Sequence, residues 1–268
     1  MGMMNIYSEY RFLPENAVLP DSALKVLGLH ADGFYFFVSD SNQIYYSLIV
    51  GAKTGYSFDE ANSFIAEQAG ILFLPVSHVF IQPETSVPVS PELLRDNPAH
   101  DLYYYCQPLS PGSELLETRI EGAGLSLISS FSSNTLESVR YHRLPVFDWA
   151  ATWLKKISKV SDDERVHVYV LPSLFWIAVF KNGKVQLFNS FEYQAKSDFL
   201  YFLLGSIKAA EINQESAVIR LSGEIAPSSV LAEAIQPYFL SVEYDTAGYI
   251  GNEEMRLLSM QLFPLFDS

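Results

Sequence analysis

The sequence has a single cysteine, Cys106, among its 268 residues. One cysteine cannot form a disulfide within the chain, and no Cys-x-x-Cys pair is present to bind zinc. Because disulfides accumulate in oxidising compartments, their absence favours a reducing compartment. Residues 1–14 carry Glu9 and Arg11 and lack the apolar run of a secretory signal. We therefore expect a cytoplasmic protein.

Basic residues and long apolar runs are also scarce. Lysine and arginine number 17 against 31 aspartates and glutamates, which gives a formal net charge of −14 at pH 7. Such a charge repels phosphate backbones and anionic membrane surfaces, so we expect no nucleic-acid partner. The longest uncharged apolar stretch, residues 168–180, contains Pro172 and is shorter than the roughly 18 residues that a membrane helix needs. We therefore expect no membrane insertion.

Apolar residues are abundant. Hydrophobic residues make up 49% of the chain and charged residues 18%, so most of the chain must pack into a core. This composition excludes a disordered tail and a coiled coil. At about 150 residues per domain, the length predicts one large domain or two small ones.

Apolar residues in the first part of the chain form three runs that predict a strand meander. The runs are separated by turn signals and cover residues 23–29, 34–38 and 44–50. The first turn signal is the tight-turn dipeptide Asp32-Gly33. Ser57, with Glu60 three residues later, forms a capping box and predicts the start of an amphipathic helix. Residues 79–81 then predict a fourth strand.

The same order of patterns recurs in the second part of the chain. Three apolar runs again come first and cover residues 167–171, 174–180 and 185–191. The hairpin dipeptide Asn182-Gly183 separates the last two runs, and Ser197 is predicted to cap the helix that follows. Two further strands and a helix are predicted at residues 217–221, 240–244 and 228–239. The recurrence is either a duplicated architecture or a coincidence between two β-rich stretches.

This order predicts mixed α/β units, because a helical crossover between strands makes them parallel neighbours in a sheet. We predict two lobes, residues 1–157 and residues 158–268, each with a three-strand meander followed by helices and parallel strands. The polar residues 158–165 are the predicted linker. The remaining predicted elements are strands at residues 101–106 and 124–131 and helices at residues 146–157 and 253–263.

Several short motifs are spread along the chain. They are Leu24-Lys25-Val26-Leu27-Gly28-Leu29 with Asp32-Gly33-Phe34-Tyr35-Phe36, then Phe80-Ile81 with Val89-Ser90-Pro91-Glu92-Leu93-Leu94, and Leu221-Ser222-Gly223-Glu224-Ile225. Together they resemble the actin-like ATPase superfamily, which includes actin, sugar kinases, heat-shock chaperones and the actin-like protein of type IV pilus assembly. The chain more closely resembles an uncharacterised bacterial domain-of-unknown-function family of that fold. The resemblance implies a duplicated, ribonuclease H-like α/β fold with two lobes.

The resemblance also implies where a nucleotide would bind. Active members of the superfamily hold ATP and Mg²⁺ between the lobes, on a hairpin turn from each lobe and a Gly-Gly motif. Asp32 and Gly33 match the first turn, and Ser222 and Gly223 match the glycine motif. These four residues would contact a nucleotide if one binds. Asp32-Gly33 is also a common turn dipeptide in hairpins that bind nothing.

Three departures from the superfamily pattern argue against ATP hydrolysis. The first turn, residues 29–33, keeps only one aspartate and one glycine. The second turn, residues 170–174, has neither a glycine nor a carboxylate, and its Pro172 lacks a backbone donor. Glu224 stands where a second glycine is expected, and its carboxylate would repel a bound polyphosphate. We therefore expect no catalytic residue, no metal site and no cofactor, with ATP and Mg²⁺ only under the alternative below.

Three functions follow from this reasoning. The leading hypothesis is a degenerate actin-like protein, a non-catalytic module that binds another protein or serves as a scaffold. The alternative is a nucleotide-binding ATPase or kinase-like enzyme with unconventional ligands. The third is a small-molecule hydrolase that uses Cys106 beside one of the five histidines. The sequence favours a non-enzymatic role and does not define an oligomeric state.

The aromatic run that precedes Cys106 bears on the third hypothesis. Tyr103, Tyr104 and Tyr105 predict a strand, and a cysteine in such a strand is usually an inert, small hydrophobe. Adjacent tyrosines on a strand point to opposite faces, as at Tyr45 and Tyr46. They are either buried between helices on both faces of a sheet or exposed as anchors for a protein partner.

Overall fold

The structure of the protein, a computed structural model, describes residues 6–12, 23–39, 44–52, 55–68, 76–159 and 165–245. Its strands, in chain order, are β1 (Ile6–Phe12), β2 (Leu24–His30), β3 (Gly33–Ser39), β4 (Ile44–Ala52), β5 (His78–Ile81), β6 (Thr85–Val89), β7 (Ser113–Ile120), β8 (Leu125–Ser132), β9 (Val146–Asp148), β10 (Arg165–Val170), β11 (Leu174–Lys181), β12 (Lys184–Glu192), β13 (Val218–Gly223) and β14 (Ser241–Tyr244). The helices are α1 (Phe58–Gln68), α2 (Pro91–Asp96), α3 (Ala99–Cys106), α4 (Ser133–Tyr141), α5 (Trp149–Ser158), α6 (Lys196–Ala209) and α7 (Val230–Ile235).

The two large sheets share one arrangement of strands. The first has the order β1-β4-β3-β2-β5-β9 and the second β12-β11-β10-β13-β14. In the first sheet β2, β3 and β4 form an antiparallel meander, and β5 and β9 are added in parallel beside β2. In the second sheet β10, β11 and β12 form the meander, and β13 and β14 are added in parallel beside β10. This confirms the predicted mixed α/β fold with two meanders. A third sheet has the order β6-β8-β7.

The chain divides into two compact units, and each contains one of the two large sheets. Unit 1 comprises Met1–Thr85, Gln107–Leu116 and Ser129–Trp149. Unit 2 comprises Ser86–Cys106, Glu117–Ile128 and Ala150–Ser268. Each unit is therefore assembled from separate segments of the chain, whereas the predicted lobes 1–157 and 158–268 are each continuous.

In unit 1, the central strand β3 is buried along its whole length. Its side chains alternate between the two faces of the sheet, so both faces are covered. Phe34 and Phe36 pack into a core with residues of α1 and α4, which also contact each other. Tyr45 and Tyr46 on the neighbouring strand are both buried, as expected for a sheet covered on both faces. Burial of each large apolar side chain contributes about 1.5–3 kcal/mol.

In unit 2, helices cover both faces of the sheet. One face presents residues such as Val168 and Leu221 to Phe199 and Leu203 of α6. On the other face, Trp153 of α5 packs beside Tyr169 and Trp176 with ring centroids 6.1 Å apart in both cases. The alternation along the strands therefore supplies a packed layer on each face.

The predicted capping box at the start of α1 is confirmed. The Ser57 backbone N–H donates to Glu60 Oε2 at 2.9 Å, and the Glu60 N–H donates to Ser57 Oγ at 3.3 Å. Two of the amides that a helix start leaves without partners in the helix are thus satisfied reciprocally.

Loss of this cap should have a moderate effect. The Ser57→Ala variant is expected to lower the free energy of unfolding by about 1 kcal/mol, because the Glu60 amide loses its acceptor. Urea unfolding measures this difference. The Ser63→Ala variant, at an exposed position in the same helix, is the matched control and should be neutral or slightly stabilising. Equal losses in the two variants would contradict the capping role.

The predicted strand at residues 101–106 is wrong, because these residues belong to α3. Pro98 precedes the helix and its carbonyl accepts the Leu102 N–H at 3.3 Å, and Asp101 adds a carboxylate to the first turn. These are helix-start signals, and they outweigh the strand preference of the tyrosines. Tyr103 is buried, whereas Tyr104, Tyr105 and Cys106 are exposed.

Other predicted elements need smaller corrections. The helix predicted at residues 146–157 is the short strand β9 followed by α5, and the strand predicted at residues 217–221 is β13, which extends to Gly223. Helix α6 begins at Lys196, so Ser197 lies inside the helix and is not its cap. At the helix start, the Asp198 carboxylate accepts the Ala195 N–H at 3.0 Å. The helix predicted at residues 228–239 is α7 followed by a single 3₁₀ turn, Gln236–Tyr238.

Some predictions fall on other parts of the chain. The helix predicted at residues 253–263 and most of the linker at residues 158–165 lie outside the described residues. Across the part of the chain that the structure describes, no helix has the length and apolar character needed to cross a membrane.

Candidate functional site

The candidate nucleotide segments are residues 30–33, residues 171–174 and residues 222–224, which follow from the resemblance. The first lies in unit 1 and the other two lie in unit 2. A phosphate site in this fold needs backbone N–H groups that point to the ligand and a nearby group that holds Mg²⁺.

The tight turn between β2 and β3 consists of residues 31 and 32, one residue earlier than predicted, and Gly33 is the first residue of β3, where it pairs with His30. Gly33 has a φ of +143°, and a Cβ at this position would lie 1.9 Å from the Val50 carbonyl oxygen of β4. The Asp32 carbonyl accepts the Ala52 N–H at 2.7 Å. The close approach of β4 therefore explains the glycine without a ligand.

The amides of this turn are bonded within unit 1. The Ala31 N–H donates to Gln82 Oε1 at 3.3 Å, and the Asp32 N–H donates to His30 Nδ1 at 3.3 Å. Gln82 lies directly after β5, the parallel neighbour of β2. Two donors that could contact a phosphate are thus occupied by side chains of the same chain.

His30 is the last residue of β2 and is only 5% exposed. Burial lowers the pKa of His30 to about 3, so the imidazole is neutral at pH 7. Because Nδ1 accepts the Asp32 amide, the proton is on Nε2, which has no hydrogen-bond partner among the described residues. The ring lies 4.7 Å from Tyr35 and 6.5 Å from Trp149, measured between centroids.

The His30 ring itself does not suit Mg²⁺, which prefers oxygen ligands and hydration. A buried neutral imidazole offers neither a charge nor an oxygen. His30 is one of the five histidines, and its role at the turn was not predicted. The available signal was the position of His30 at the end of a mostly apolar strand, just before Asp32 and Gly33.

The second candidate segment is closed by its own backbone. The Leu171 N–H donates to the Leu174 carbonyl at 2.8 Å, and Pro172 has no N–H. Tyr193 donates its hydroxyl to the Leu171 carbonyl at 2.6 Å and its amide to the Ser173 carbonyl at 2.9 Å. This turn therefore serves as an anchor for the chain that follows β12.

The third candidate segment ends β13. Ser222 is buried, and its hydroxyl lies 3.5 Å from the Val168 carbonyl. Gly223 has a φ of +89°, and a Cβ would lie 2.1 Å from the Val170 carbonyl oxygen of β10. The same carbonyl accepts the Glu224 N–H at 2.7 Å. As with Gly33, an adjacent strand explains the glycine.

Cys106 lies at the exposed C-terminal end of α3. Among the described residues, no hydrogen bond joins its sulfur to a histidine. His100 in the same helix instead pairs with Asp101 Oδ1 at 3.1 Å. A thiolate nucleophile needs a nearby base or positive charge, and the described surroundings of Cys106 provide no histidine for that purpose.

A polar cluster in unit 2 was not predicted. His167 of β10, Arg220 of β13 and Glu243 of β14 are in register across three parallel strands. Asp245 lies 3.2 Å from His167 Nδ1 and 3.4 Å from Arg220 Nη1, and Glu243 lies 2.8 Å from Arg220 Nη2. These contacts tie the parallel strands together. Within the described ranges, no group of three histidine, cysteine, aspartate or glutamate side chains is placed to hold a metal ion.

Unit 2 also contains a cavity of about 910 Å³. Its walls are residues 183–188 at the start of β12, residues 121–125 between β7 and β8, and residues 88–90. This cavity could not be predicted from local sequence patterns, because its lining comes from three segments that are distant in the chain.

The strand order of the two large sheets defines an actin-like fold of the ribonuclease H type. The chain belongs to the family described as "Protein of unknown function (DUF3822)", whose family model matches residues 26–242. A search of curated proteins finds no match.

Solved structures agree with this fold. A protein from Bacteroides thetaiotaomicron VPI-5482 with an actin-like ATPase fold and unknown function is 19% identical, with a TM-score of 0.70. The match covers 88% of this chain and 95% of that one. The PilM-PilN type IV pilus biogenesis complex is 11% identical with a TM-score of 0.51, over 92% of this chain and 98% of that one. At these identities the likeness shows the fold alone.

Proposed function

We propose that this protein is a non-catalytic protein-binding module or scaffold, an actin-like protein without ATPase activity. The observation that supports this most is the bonding of the candidate nucleotide segments. The amides of Ala31, Asp32, Leu171 and Glu224 all donate to acceptors of the same chain. A phosphate would have to displace these acceptors before it could use the donors.

The energetic comparison favours the unliganded arrangement. An internal hydrogen bond contributes about 0.5–1.5 kcal/mol, and an unsatisfied buried partner costs about 1–3 kcal/mol. Each amide that turns to a phosphate therefore leaves an acceptor such as His30 Nδ1 without its donor. In addition, Glu224 repels a polyphosphate, and the chain as a whole carries a formal charge of −14.

We infer that the partner is another protein and that the module acts in the cytoplasm. The single cysteine and the strongly acidic composition support these inferences. The PilM-PilN complex is, by its name, an assembly of two proteins, and the PilM-PilN structure has this fold. That likeness is consistent with a fold that serves protein association.

Thermal unfolding in the presence of Mg·ATP tests the proposal. A ligand at millimolar concentration that binds the native state with micromolar affinity adds about 4 kcal/mol of stability, and we expect no such increase. Phosphate release should equal that of a protein-free control. Stabilisation that the Asp32→Ala variant removes would contradict the proposal and support the ATPase or kinase-like alternative.

A further inference from the structure

The outer edge of β12 in unit 2 is a candidate surface for strand pairing with another chain. Within the described residues, β12 pairs with β11 on one side only. The equivalent strand of unit 1 is β4, which ends the first meander, and its outer edge is covered by β1 in antiparallel register. An uncovered strand edge presents N–H and C=O groups that can pair with another chain.

Only the first part of this edge is open. The Ser190 N–H donates to the Asn189 side-chain oxygen at 2.9 Å, so the strand caps its own edge at that point. Residues 184–188, before the cap, form one wall of the 910 Å³ cavity. The open part of the edge and the cavity therefore coincide.

The volume of the cavity limits the size of a molecule that could bind there. A paired strand lies about 4.7–4.9 Å from its neighbour, and the cavity volume is in the range of about 300–1,000 Å³ that ligand sites occupy. Residues 121–125 line the same cavity, so one extended segment that pairs with residues 184–188 would also contact them.

The charged residues near the edge indicate which charges a bound segment should carry. Lys184 begins β12 and is exposed, and Lys181 precedes it in the same hairpin, so this end is basic in an otherwise acidic protein. A segment antiparallel to β12 has its C-terminal end beside Lys184. Val185 and Leu187 are half-buried apolar residues along the edge. Glu121 also lines the cavity and disfavours further acidic groups in the segment.

We propose that residues 184–188 bind an extended segment of a partner protein by strand addition, antiparallel to β12. The segment is uncharged along its middle and carries a carboxylate at its C-terminal end, against Lys184. That carboxylate is either the free chain terminus or an aspartate or glutamate side chain. The inference rests on the proposed protein-binding function, and backbone pairing supplies the affinity while Lys184 fixes the direction.

A peptide library tests the proposal. Random peptides of about eight residues, a length that covers the open edge, are displayed in two formats, one with a free C-terminus and one with a neutral C-terminal extension. We expect enrichment of segments with an uncharged middle and a C-terminal carboxylate. Enrichment in both formats assigns the carboxylate to a side chain, and enrichment in the first format alone assigns it to the terminus. The absence of enrichment in both formats would overturn the proposal.

The enriched peptide is then measured against variants. The Lys184→Glu variant should weaken binding about tenfold or more, since it replaces an attraction by a repulsion. The Lys208→Glu variant, at an exposed position of α6, is the charge-matched control and should bind as the unchanged protein does. Binding should slow amide hydrogen exchange of residues 184–188. Equal affinities of the two variants, or exchange that stays unchanged there, would overturn the proposal.

Two further outcomes are distinguishable. Analytical ultracentrifugation should show that the β12 edge does not join two copies of the chain. A dimer that the Lys184→Glu variant dissociates would overturn the proposal, because the edge would then bind a second copy. Binding of Mg·ATP would contradict the proposed function without affecting the peptide measurements. Conversely, failure of the library with no effect of Mg·ATP would reject this surface alone.

Discussion

The Gly223→Ala variant is expected to lose about 4 kcal/mol of unfolding free energy, the combined cost of a strained φ and of overlap with a neighbouring strand. The added Cβ would lie 2.1 Å from the Val170 carbonyl oxygen and 2.8 Å from the Val170 nitrogen, both backbone atoms of β10. Gly223 and Val170 are parallel partners in the sheet, so β10 cannot move away without disturbing the ladder. Urea unfolding measures the loss.

The chain offers a control that separates the two contributions. Gly124 also has a positive φ, +64°, but no heavy atom lies within 4 Å of a Cβ built there. Gly124→Ala should therefore show only the conformational cost, about 1–2 kcal/mol. If Gly223→Ala cost no more than Gly124→Ala, the packing explanation of the glycine motif would fail, and a ligand-related role would regain support.

The second large effect concerns His30 and pH. The pKa of His30 is lowered from 6.5 to about 3 by burial, so the unfolded chain binds this proton more readily than the folded protein does. The contribution of neutral His30 is therefore fully present above pH 6.5 and is lost as the pH falls from there towards 3. Between pH 8 and pH 5 the loss amounts to about 2 kcal/mol.

The His30→Gln variant isolates this contribution, because glutamine does not titrate. Urea unfolding of the two proteins at pH 8 and pH 5 should show that the unchanged protein loses about 2 kcal/mol more than the variant. His100→Gln is the matched control, since the His100 side chain is 63% exposed. It should change the pH dependence much less than His30→Gln does, because an exposed side chain contributes little to stability. Parallel pH dependences of the His30→Gln variant and the unchanged protein would show that His30 is not held neutral by the fold.

Much of the architecture could be predicted from local pattern. The Asn182 and Gly183 hairpin, the Ser57 and Glu60 cap and the two strand meanders all depend on neighbouring residues, and the structure confirms them. The strand predicted for the aromatic run before Cys106 is wrong because strand preference depends on context. The residues that begin α3 determine a helix there instead. Periodicity also cannot separate a short strand such as β9 from the helix directly after it.

The chemistry of the candidate site could not be predicted in the same way. Gln82 contacts the Ala31 amide across a separation of 51 residues, so the pattern around Asp32 and Gly33 contains no sign of it. Gly33 and Gly223 match a nucleotide motif in sequence, and only the positions of β4 and β10 reveal the close contacts that require glycine. A motif therefore predicts the path of the backbone better than it predicts a ligand.

The proposed absence of nucleotide binding depends on whether the amides of the candidate nucleotide segments donate to acceptors of the same chain. NMR of the backbone amides tests this most directly. The amides of Ala31, Asp32 and Glu224 should exchange slowly with solvent, and their chemical shifts should stay constant as Mg·ATP is added to millimolar concentration. Rapid exchange of these amides, together with shifts that change and saturate with Mg·ATP, would contradict the account.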